Sequence, residues 1–575
     1  DLMKPFQKNN QYKKVDPVDD IRSIARNGFL KCIEEIRKNY KDVKFVMVVD
    51  TPTIPIISKL FKMSELVEHS IVLLERYDLE RKPMVSYHAI YFLSPQTDID
   101  IFIHDFEKEP IYAAPHLLFT YNPTNTTIEK LNNSPNVVNR ILTFSSLYLQ
   151  FTPMDQSTFL LNCPEAFNSL YSPRPKMNFM NACNIMISGL ISFFFNIKAK
   201  PLIAYEKSLP KCMQFANEFS RQFNDVYESF PPKIKTKFNT KDTLLIIIPR
   251  GADQIAPLLH QFTYEAMIYD HIHVDNETVL LEEGKPDSLL LMNVYEEPSY
   301  EDYRYVHLSE LLNFCKEKSR EYIELQQQMN SSDPKEKSEA IKKLSRVKDA
   351  YNQSINRYSM AIKISEINKQ KNLLGFAEYE QTLATGLKDG NKVKPSSLEL
   401  SQQLTKPQLD ENDKIRLLAI YNIKAKQMKE NDLLRNMESA GISERLAPAI
   451  QNLEYLGKQV ERSSKKILIP NAFTTDKYNP LVAETINDII DGESLNEEIY
   501  EAPSHSGKYK NIVLFMIGGI SYMELRELAK IRVSLKAKKE TKLWVGSTNA
   551  VYPDSYIAQL RVLRSEERRV GKECR

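Results

Sequence analysis

Over the first 150 residues apolar positions come in short runs, separated by stretches where they recur every three or four residues. Phe45 to Asp50, Ile71 to Leu74, Ala89 to Leu93, His116 to Thr120 and Leu147 to Phe151 read as strands. Pro55 to Lys62 and Thr127 to Leu131 read as helical stretches between them. This alternation predicts βαβ units and a doubly wound parallel sheet. A second α/β pattern starts near Phe151, with a long helix over Asn178 to Phe195 and a strand over Leu244 to Pro249.

From Ser309 to about Gln370 the pattern changes. Glycine is absent, and the single proline, Pro334, sits in the break Ser331-Ser332-Asp333-Pro334. After it Leu344, Val347, Tyr351, Ile355, Tyr358 and Ile362 fall at steps of three and four, one continuous stripe. A helical hairpin over about 309–370 follows. Such a stripe is ordinarily core or an intramolecular seam. The flanking sequence is rich in charge, however, which leaves part of the stripe for a partner helix. Helical pattern continues from Lys414 to about Gln459, Arg462 to Lys466 is a short basic linker, and Ala502 to Lys510 is a loop.

The chain then runs through an apolar strand, Ile512 to Ile517, into Gly518-Gly519 and a helix capped by Ser521. A strand, a glycine turn and a helix N-terminus present backbone N–H groups and a positive dipole end to an anion. Yet neither G-x-G-x-x-G nor G-x-x-x-x-G-K-[ST] is present, so the charge and close approach that phosphate needs are missing. Asp50, just past the first strand, lies where parallel sheets often bind ligands, but a turn or cap role is the first reading. Arg250, Asp253 and His260 could suggest acid–base chemistry. Without a nucleophile elbow nearby, they read first as a buried ion pair and a capping histidine.

At 575 residues the chain exceeds one core, and roughly two to four domains are expected. No apolar run approaches the length of a membrane span and no secretory h-region is seen, so a cytoplasmic protein is expected. Cys32, Cys163, Cys183, Cys212 and Cys315 show no C-x-x-C spacing, and the histidines show no H-x-x-x-H or H-E-x-x-H spacing. No metal, no cofactor and no catalytic residue is expected. Residues 564–575, Arg564-Ser565-Glu566-Glu567-Arg568-Arg569-Val570-Gly571-Lys572-Glu573-Cys574-Arg575, resemble a translated sequencing adapter. Without this segment 72 basic and 72 acidic residues remain of 77 and 75, which argues against nucleic acid as a partner.

Several blocks together resemble the SM (Sec/Munc) family of syntaxin-binding proteins. They are Val49-Asp50 with Phe61-Lys62-Met63-Ser64, Arg81-Lys82-Pro83-Met84 before Ala89 to Pro95, and Tyr112-Ala113-Ala114 before Phe119-Thr120. Phe151 to Asp155, Pro257 to His260, Arg357-Tyr358-Ser359, Glu380 to Gly386, Asp413 to Arg416, and Gly518-Gly519 with Trp544 to Thr548 continue the series in the family's order. The Glu380 and Asp413 blocks resemble the plasma-membrane, exocytic branch. The resemblance implies an arch-shaped, three-domain α/β fold with two doubly wound sheet domains and a largely helical insert. The domains would be 20–150, a discontinuous 151–250 with 495–563, and 251–494.

The function so implied is a non-enzymatic SNARE chaperone controlling vesicle docking and fusion. It would be a monomer in one-to-one complex with a syntaxin, reaching the target membrane only through partners. The alternative is an α/β nucleotide-binding protein or enzyme using the Gly518-Gly519 turn. By resemblance Asp50, Lys62 and Glu75 would line the syntaxin cleft. Leu118, Phe119, Ile128 and Leu131 would hold a syntaxin N-terminal peptide, and Leu344, Val347, Tyr351, Ile355 and Tyr358 the vesicle SNARE. Pro55 and His69-Ser70 depart from the exocytic pattern and argue against tight binding of a closed syntaxin. The proline that exocytic members often carry near the position of Asp349 is absent, so Leu344 to Ile362 is expected to extend as one helix.

Overall fold

The first sheet is built from β1 (Phe45–Val49), β2 (Ile71–Arg76), β3 (Met84–Leu93), β4 (Tyr112–Phe119) and β5 (Thr143–Ser146). All pairings are parallel, in the order β2-β1-β3-β4-β5. Every residue of β1 is buried, as expected where both faces of a parallel strand are covered. Helix α1 (Ile21–Asn39) covers one face with Ile21, Ala25, Phe29, Ile33 and Ile36, and Asp20 caps it by accepting the Arg22 N–H at 3.0 Å. Two short helices follow β1, α2 (Ile54–Leu60) and α3 (Met63–Glu68). The computed structural model describes residues 20–275, 277–281, 289–297, 300–330, 332–425, 428–470, 472–504, 508–538 and 541–564. Apart from Arg564, the adapter-like segment therefore lies outside the described residues.

The fifth strand departs from the sequence expectation of Leu147 to Phe151. Tyr148 sits at φ 54°, a left-handed conformation that breaks a regular extended run. The Leu147 and Leu149 N–H groups donate to Phe119 (2.8 Å) and Thr120 (2.7 Å) carbonyls, so this run stays tied to the end of β4 without forming a regular strand.

The second sheet starts with β6 (Thr152–Pro153), β7 (Thr158–Leu160), β8 (Leu202–Glu206) and β9 (Thr243–Pro249). Between them run α4 (Phe179–Ile197) and α5 (Pro210–Ser229). Among the described residues α4 alone is long and apolar enough to cross a membrane, but Met186, Ile187, Leu190, Phe193 and Phe194 are fully buried, so it is a core helix.

After β9 the chain enters a largely helical insert. It contains α6 (Tyr264–His271), α7 (Leu308–Met329), α8 (Pro334–Lys371), α9 (Leu373–Thr385) and α10 (Glu411–Lys424). Helix α11 (Leu481–Ile490) leads back to β10 (Tyr500–Glu501), β11 (Asn511–Ile517), helix α12 (Tyr522–Lys538) and β12 (Lys542–Ser547). The completed sheet runs β10-β8-β9-β11-β12-β7-β6. Its centre joins distant sequence: β9 and β11 pair in parallel from Thr243↔Asn511 to Ile517↔Pro249.

Buried ions pin the insert to this sheet. Arg250, fully buried at the end of β9, donates to both carboxylate oxygens of Glu524 (2.5 and 2.7 Å) and to Gly519 O (3.2 Å). Asp253 accepts from Tyr478 Oη at 2.8 Å and from Leu481 N at 2.9 Å, and Arg462 lies 3.6 Å away. Arg462, which opens the short basic linker expected from the sequence, is thus a buried ion-pair member with Asp253 and Glu484 beside it. His260 lies between Glu380 of α9 (2.9 Å) and Asp413 of α10 (3.1 Å). Burial and Arg416 push the imidazole's pKa down, but the carboxylates outweigh them and raise it to about 9.

The two glycines of the turn are required by backbone and space. Gly518 and Gly519 have φ of 100° and 104°, and a Cβ on Gly519 would stand 2.4 Å from Val551 Cγ1. Gly519→Ala is expected to destabilise by about 1–3 kcal/mol, measured by urea unfolding. Because the pKa of His260 is raised from 6.5 to about 9, its contribution is fully present below pH 6.5 and is lost as pH rises through 9. In His260→Gln this fall in unfolding temperature between pH 6.5 and 9 should be absent; a slope equal to the parent's would refute the assignment.

Candidate functional site

The chemically suggestive residues are spent on structure. Glu524, three residues after Ser521, forms a capping box with it: the Ser521 N–H and Oγ donate to Glu524 Oε2 at 2.8 Å each. The N-terminus of α12 therefore carries its own carboxylate, already paired with Arg250, where a nucleotide phosphate would have to sit. Gly518 N donates to Thr548 Oγ1 at 3.1 Å, so that donor is also engaged. A groove of about 380 Å³ between α11 and α12 is lined by Leu468, Asn487, Glu527, Lys530 and Leu535. Within it Glu527 accepts from Arg526 at 2.8 Å and from Lys530 at 2.7 Å, an arrangement of mutual neutralisation.

What the first sheet offers to solvent is an apolar platform. Arg22 Nε donates to Lys59 O (2.6 Å) and Arg26 Nη1 to Leu60 O (2.9 Å), so two guanidiniums from α1 satisfy carbonyls at the end of α2. Arg26 also pairs with Glu65 of α3 at 2.7 Å. The α2–α3 unit is held from beneath, while Met63 (42% exposed) and Val67 (49%), four residues apart, share the outer face of α3. Beside α3, β2 is the edge strand of the sheet among the described residues, with Leu73 and Leu74 exposed. Apolar side chains on a rigid support, rimmed by charge, are the features of a protein-binding surface.

Of the cleft residues expected from the sequence, Lys62 is exposed next to this platform and Glu75 is half-buried on β2, accepting from Tyr112 Oη. Asp50 is corrected: it is 4% exposed, and its carboxylate accepts from Thr53 N (3.0 Å), Ser94 N (2.8 Å) and Thr97 Oγ1. It ties the β1–α2 turn to the end of β3 and has little surface to offer a partner. Leu118, Phe119 and Leu131 are likewise corrected, since the first two are fully buried in β4 and Leu131 is buried beneath it. Only Ile128 of that set is half-exposed.

The hairpin is α7 and α8. Asp333 caps α8 by accepting the Lys335 N–H at 2.9 Å, Pro334 takes the first helical position, and the helix continues unbroken for 38 residues, about 57 Å. Its base is anchored where Met360, Ala361 and Ile364 share a core with Tyr264, Met267 and Ile268 of α6. Arg357 packs over the Tyr303 ring at 3.6 Å. Toward the tip Tyr351 stacks on Tyr322 of α7 at 4.3 Å. Leu344, Val347, Tyr351 and Tyr358 are half-buried, whereas Ile355 is 40% exposed. Ile323 (51%) and Ile341 (54%), which sequence reasoning did not single out, are more open. Met63 and Val67 were missed for the same reason: an apolar residue at helical spacing is the same signal whether packing covers it or not.

Comparison with known proteins gives one family. A family model described as the Sec1 family matches residues 45–559. A protein transport protein sec1 from Dictyostelium discoideum is 27% identical, the alignment covering 90% of this chain and 95% of that protein. A vacuolar protein sorting-associated protein 45 from the same organism is 24% identical, covering 86% and 89%. Among solved structures, the Unc18–syntaxin 1 complex from Monosiga brevicollis superposes with a TM-score of 0.80 at 20% identity, covering 95% of this chain and all (100%) of that one. The SM protein Vps45 in complex with the Qa SNARE Tlg2 gives 0.76 at 20% identity, covering 94% and 97%. The three-domain α/β architecture expected from the sequence is the fold these structures share.

Asp50→Ala leaves the buried Ser94 N–H and the Thr97 hydroxyl without their carboxylate acceptor, while Thr53 N–H keeps only the Asp50 carbonyl, and should destabilise by about 1–3 kcal/mol in chemical denaturation. Unchanged stability would return Asp50 to the list of surface binding residues.

Proposed function

This chain belongs to the Sec1 family, and on that premise we propose that it is a non-enzymatic chaperone of SNARE assembly in vesicle docking and exocytic fusion. It acts in the cytoplasm, binding a syntaxin-type SNARE and the assembling bundle. The observation that carries this reading is that the family match spans both the α2–α3 platform and the hairpin, each of which sets exposed apolar side chains on braced helices. The domains are taken as 20–150, 151–250 with 495–563, and 251–494.

SNARE segments are disordered before they pair, and folding them on binding carries an ordering cost. A preformed surface lowers that cost by fixing register before the partner helix is present. The platform supplies Met63, Val67 and the β2 edge for one helix, with Lys62 and Glu75 setting orientation. The hairpin supplies Ile341, Ile355 and the half-buried stripe through Leu344, Val347, Tyr351 and Tyr358 for another. Of the residues expected to hold a syntaxin N-terminal peptide, Ile128 has the surface to take part in it. The rival nucleotide-binding reading has no support in the geometry of the Gly518-Gly519 turn.

Binding of the full chain to a purified syntaxin cytoplasmic segment and to a vesicle SNARE tests the reading by calorimetry. Met63→Asp with Val67→Asp should weaken syntaxin binding at least about tenfold, equivalent to about 1.4 kcal/mol, with an unchanged unfolding temperature. Asp349→Pro should weaken vesicle-SNARE binding while leaving syntaxin binding intact, because a helix-interior proline costs about 3 kcal/mol and bends the hairpin. Failure of the parent chain to bind any syntaxin-type segment would sink the proposal.

A further inference from the structure

The parallel strands of the second sheet are entered through lysines. Lys198 and Lys200 precede β8, and Lys237 and Lys241 precede β9. Lys508 and Lys510 precede β11, and Lys542 is the first residue of β12. Register places all four strand starts at one level: Leu202 pairs with Leu244, and Asn511 pairs with both Thr243 and Lys542. Four adjacent strands span about 15 Å, so these side chains stand along one rim. Backbone hydrogen bonds hold the rim together: Lys200 N to Asn239 O (2.8 Å), Asn239 N to Lys198 O (2.8 Å), Lys510 N to Asp242 O (2.8 Å) and Lys542 N to Lys510 O (2.9 Å).

At one corner of this rim the turn Pro232–Lys235 adds Lys233 and Lys235 on either side of Ile234, which is 38% exposed. The turn is firm, because Phe238 behind it packs edge-on against Phe195 and Tyr227, each at 5.3 Å. Among the described residues, Asp242 is paired into the rim at 3.5 Å from Lys510, and Glu228 on Lys235. Lysines outnumber these carboxylates along the described rim, in a chain whose formal net charge is only +2. Lys198, Lys233, Lys237, Lys241, Lys508 and Lys542 are all exposed.

We propose that this rim is a docking surface for an anionic lipid bilayer, with the lysines lying against the headgroups and Ile234 entering the interface. The residue types favour a membrane over a discrete phosphate. The basic groups are all lysines, mobile point charges on flexible stems, whereas recognition of one phosphate favours the fixed fork of arginine in a built pocket. A diffuse layer of negative charge attracts such a rim additively, and an exposed aliphatic tip among lysines is what an interfacial contact uses. The surface adds a direct lipid contact to a protein expected to reach membranes through its partners. It stands on the second domain and does not depend on the SNARE reading.

Flotation of the full chain with phosphatidylcholine vesicles, with and without phosphatidylserine, tests this. Binding should require phosphatidylserine and fall as salt is raised, since lysine–headgroup attraction is screened within about 10 Å at 0.1 M salt. The variant K233E/K237E/K241E should lose at least about tenfold in bound fraction at an unchanged unfolding temperature. Ile234→Asp should also weaken binding. K31E/K38E/K41E, which makes the same charge change on exposed residues of α1 and the turn after it, should bind like the parent. Equal binding to neutral vesicles, an undiminished rim variant, or an equal loss in the α1 variant would each overturn the proposal. So would capture by polyuridylate without capture by anionic vesicles.

Discussion

The pairing of Arg250 with Glu524 is the constraint on which the rest of the chain depends. One residue closes β9 just before the helical insert, and the other opens the helix that follows β11 after it. Neither has access to solvent, so neither charge is tolerable without the other. The pair forces the two ends of the long excursion together and sets the register of the sheet's centre. Asp253 with Arg462 and His260 with Glu380 and Asp413 repeat the device deeper in the insert. Removing one partner of such a pair typically costs about 3–5 kcal/mol, because the other is left buried and charged.

Rigidity so obtained is what makes the exposed apolar surfaces usable. A short helix such as α3 would not hold a shape alone. Arg22 and Arg26 fasten it through the carbonyls of α2, and that brace allows Met63 and Val67 to face water without collapsing inward. The hairpin is solved differently. Its base is buried with α6 and the Tyr300–Tyr303 region, and its outer part rests on a two-helix seam with Tyr322 against Tyr351. A seam between two helices covers only one stripe of each, which is why Ile323, Ile341 and Ile355 remain open.

Charge is distributed by the same logic. Near-neutrality over the chain conceals a basic rim on the second sheet, because its lysines are contributed by segments as distant as Lys198 and Lys542. A count of charges gives solubility and average steering, while a surface potential depends on which side chains the topology places side by side.

The sequence by itself determined the element types and the helical hairpin, since periodicity and the Pro334 break are local signals. Motif order pointed to the family, and the missing proline near Asp349 to an uninterrupted α8. Where it misled, the deciding quantity was non-local. Leu147 to Phe151 is as apolar as a strand, but the positive φ of Tyr148 interrupts its extended geometry at the end of the sheet. Asp50, Leu118, Phe119 and Leu131 stand at expected motif positions, yet burial consumes their binding capacity. Arg462 reads as the start of a short basic linker until Asp253 and Glu484 are brought beside it. Only the tertiary structure decided that Glu524 and Arg250 occupy the would-be phosphate site, and which apolar and basic side chains remain at the surface. Exposure and charge pairing are properties of neighbours, and neighbours from opposite ends of a discontinuous sheet leave no mark in local spacing.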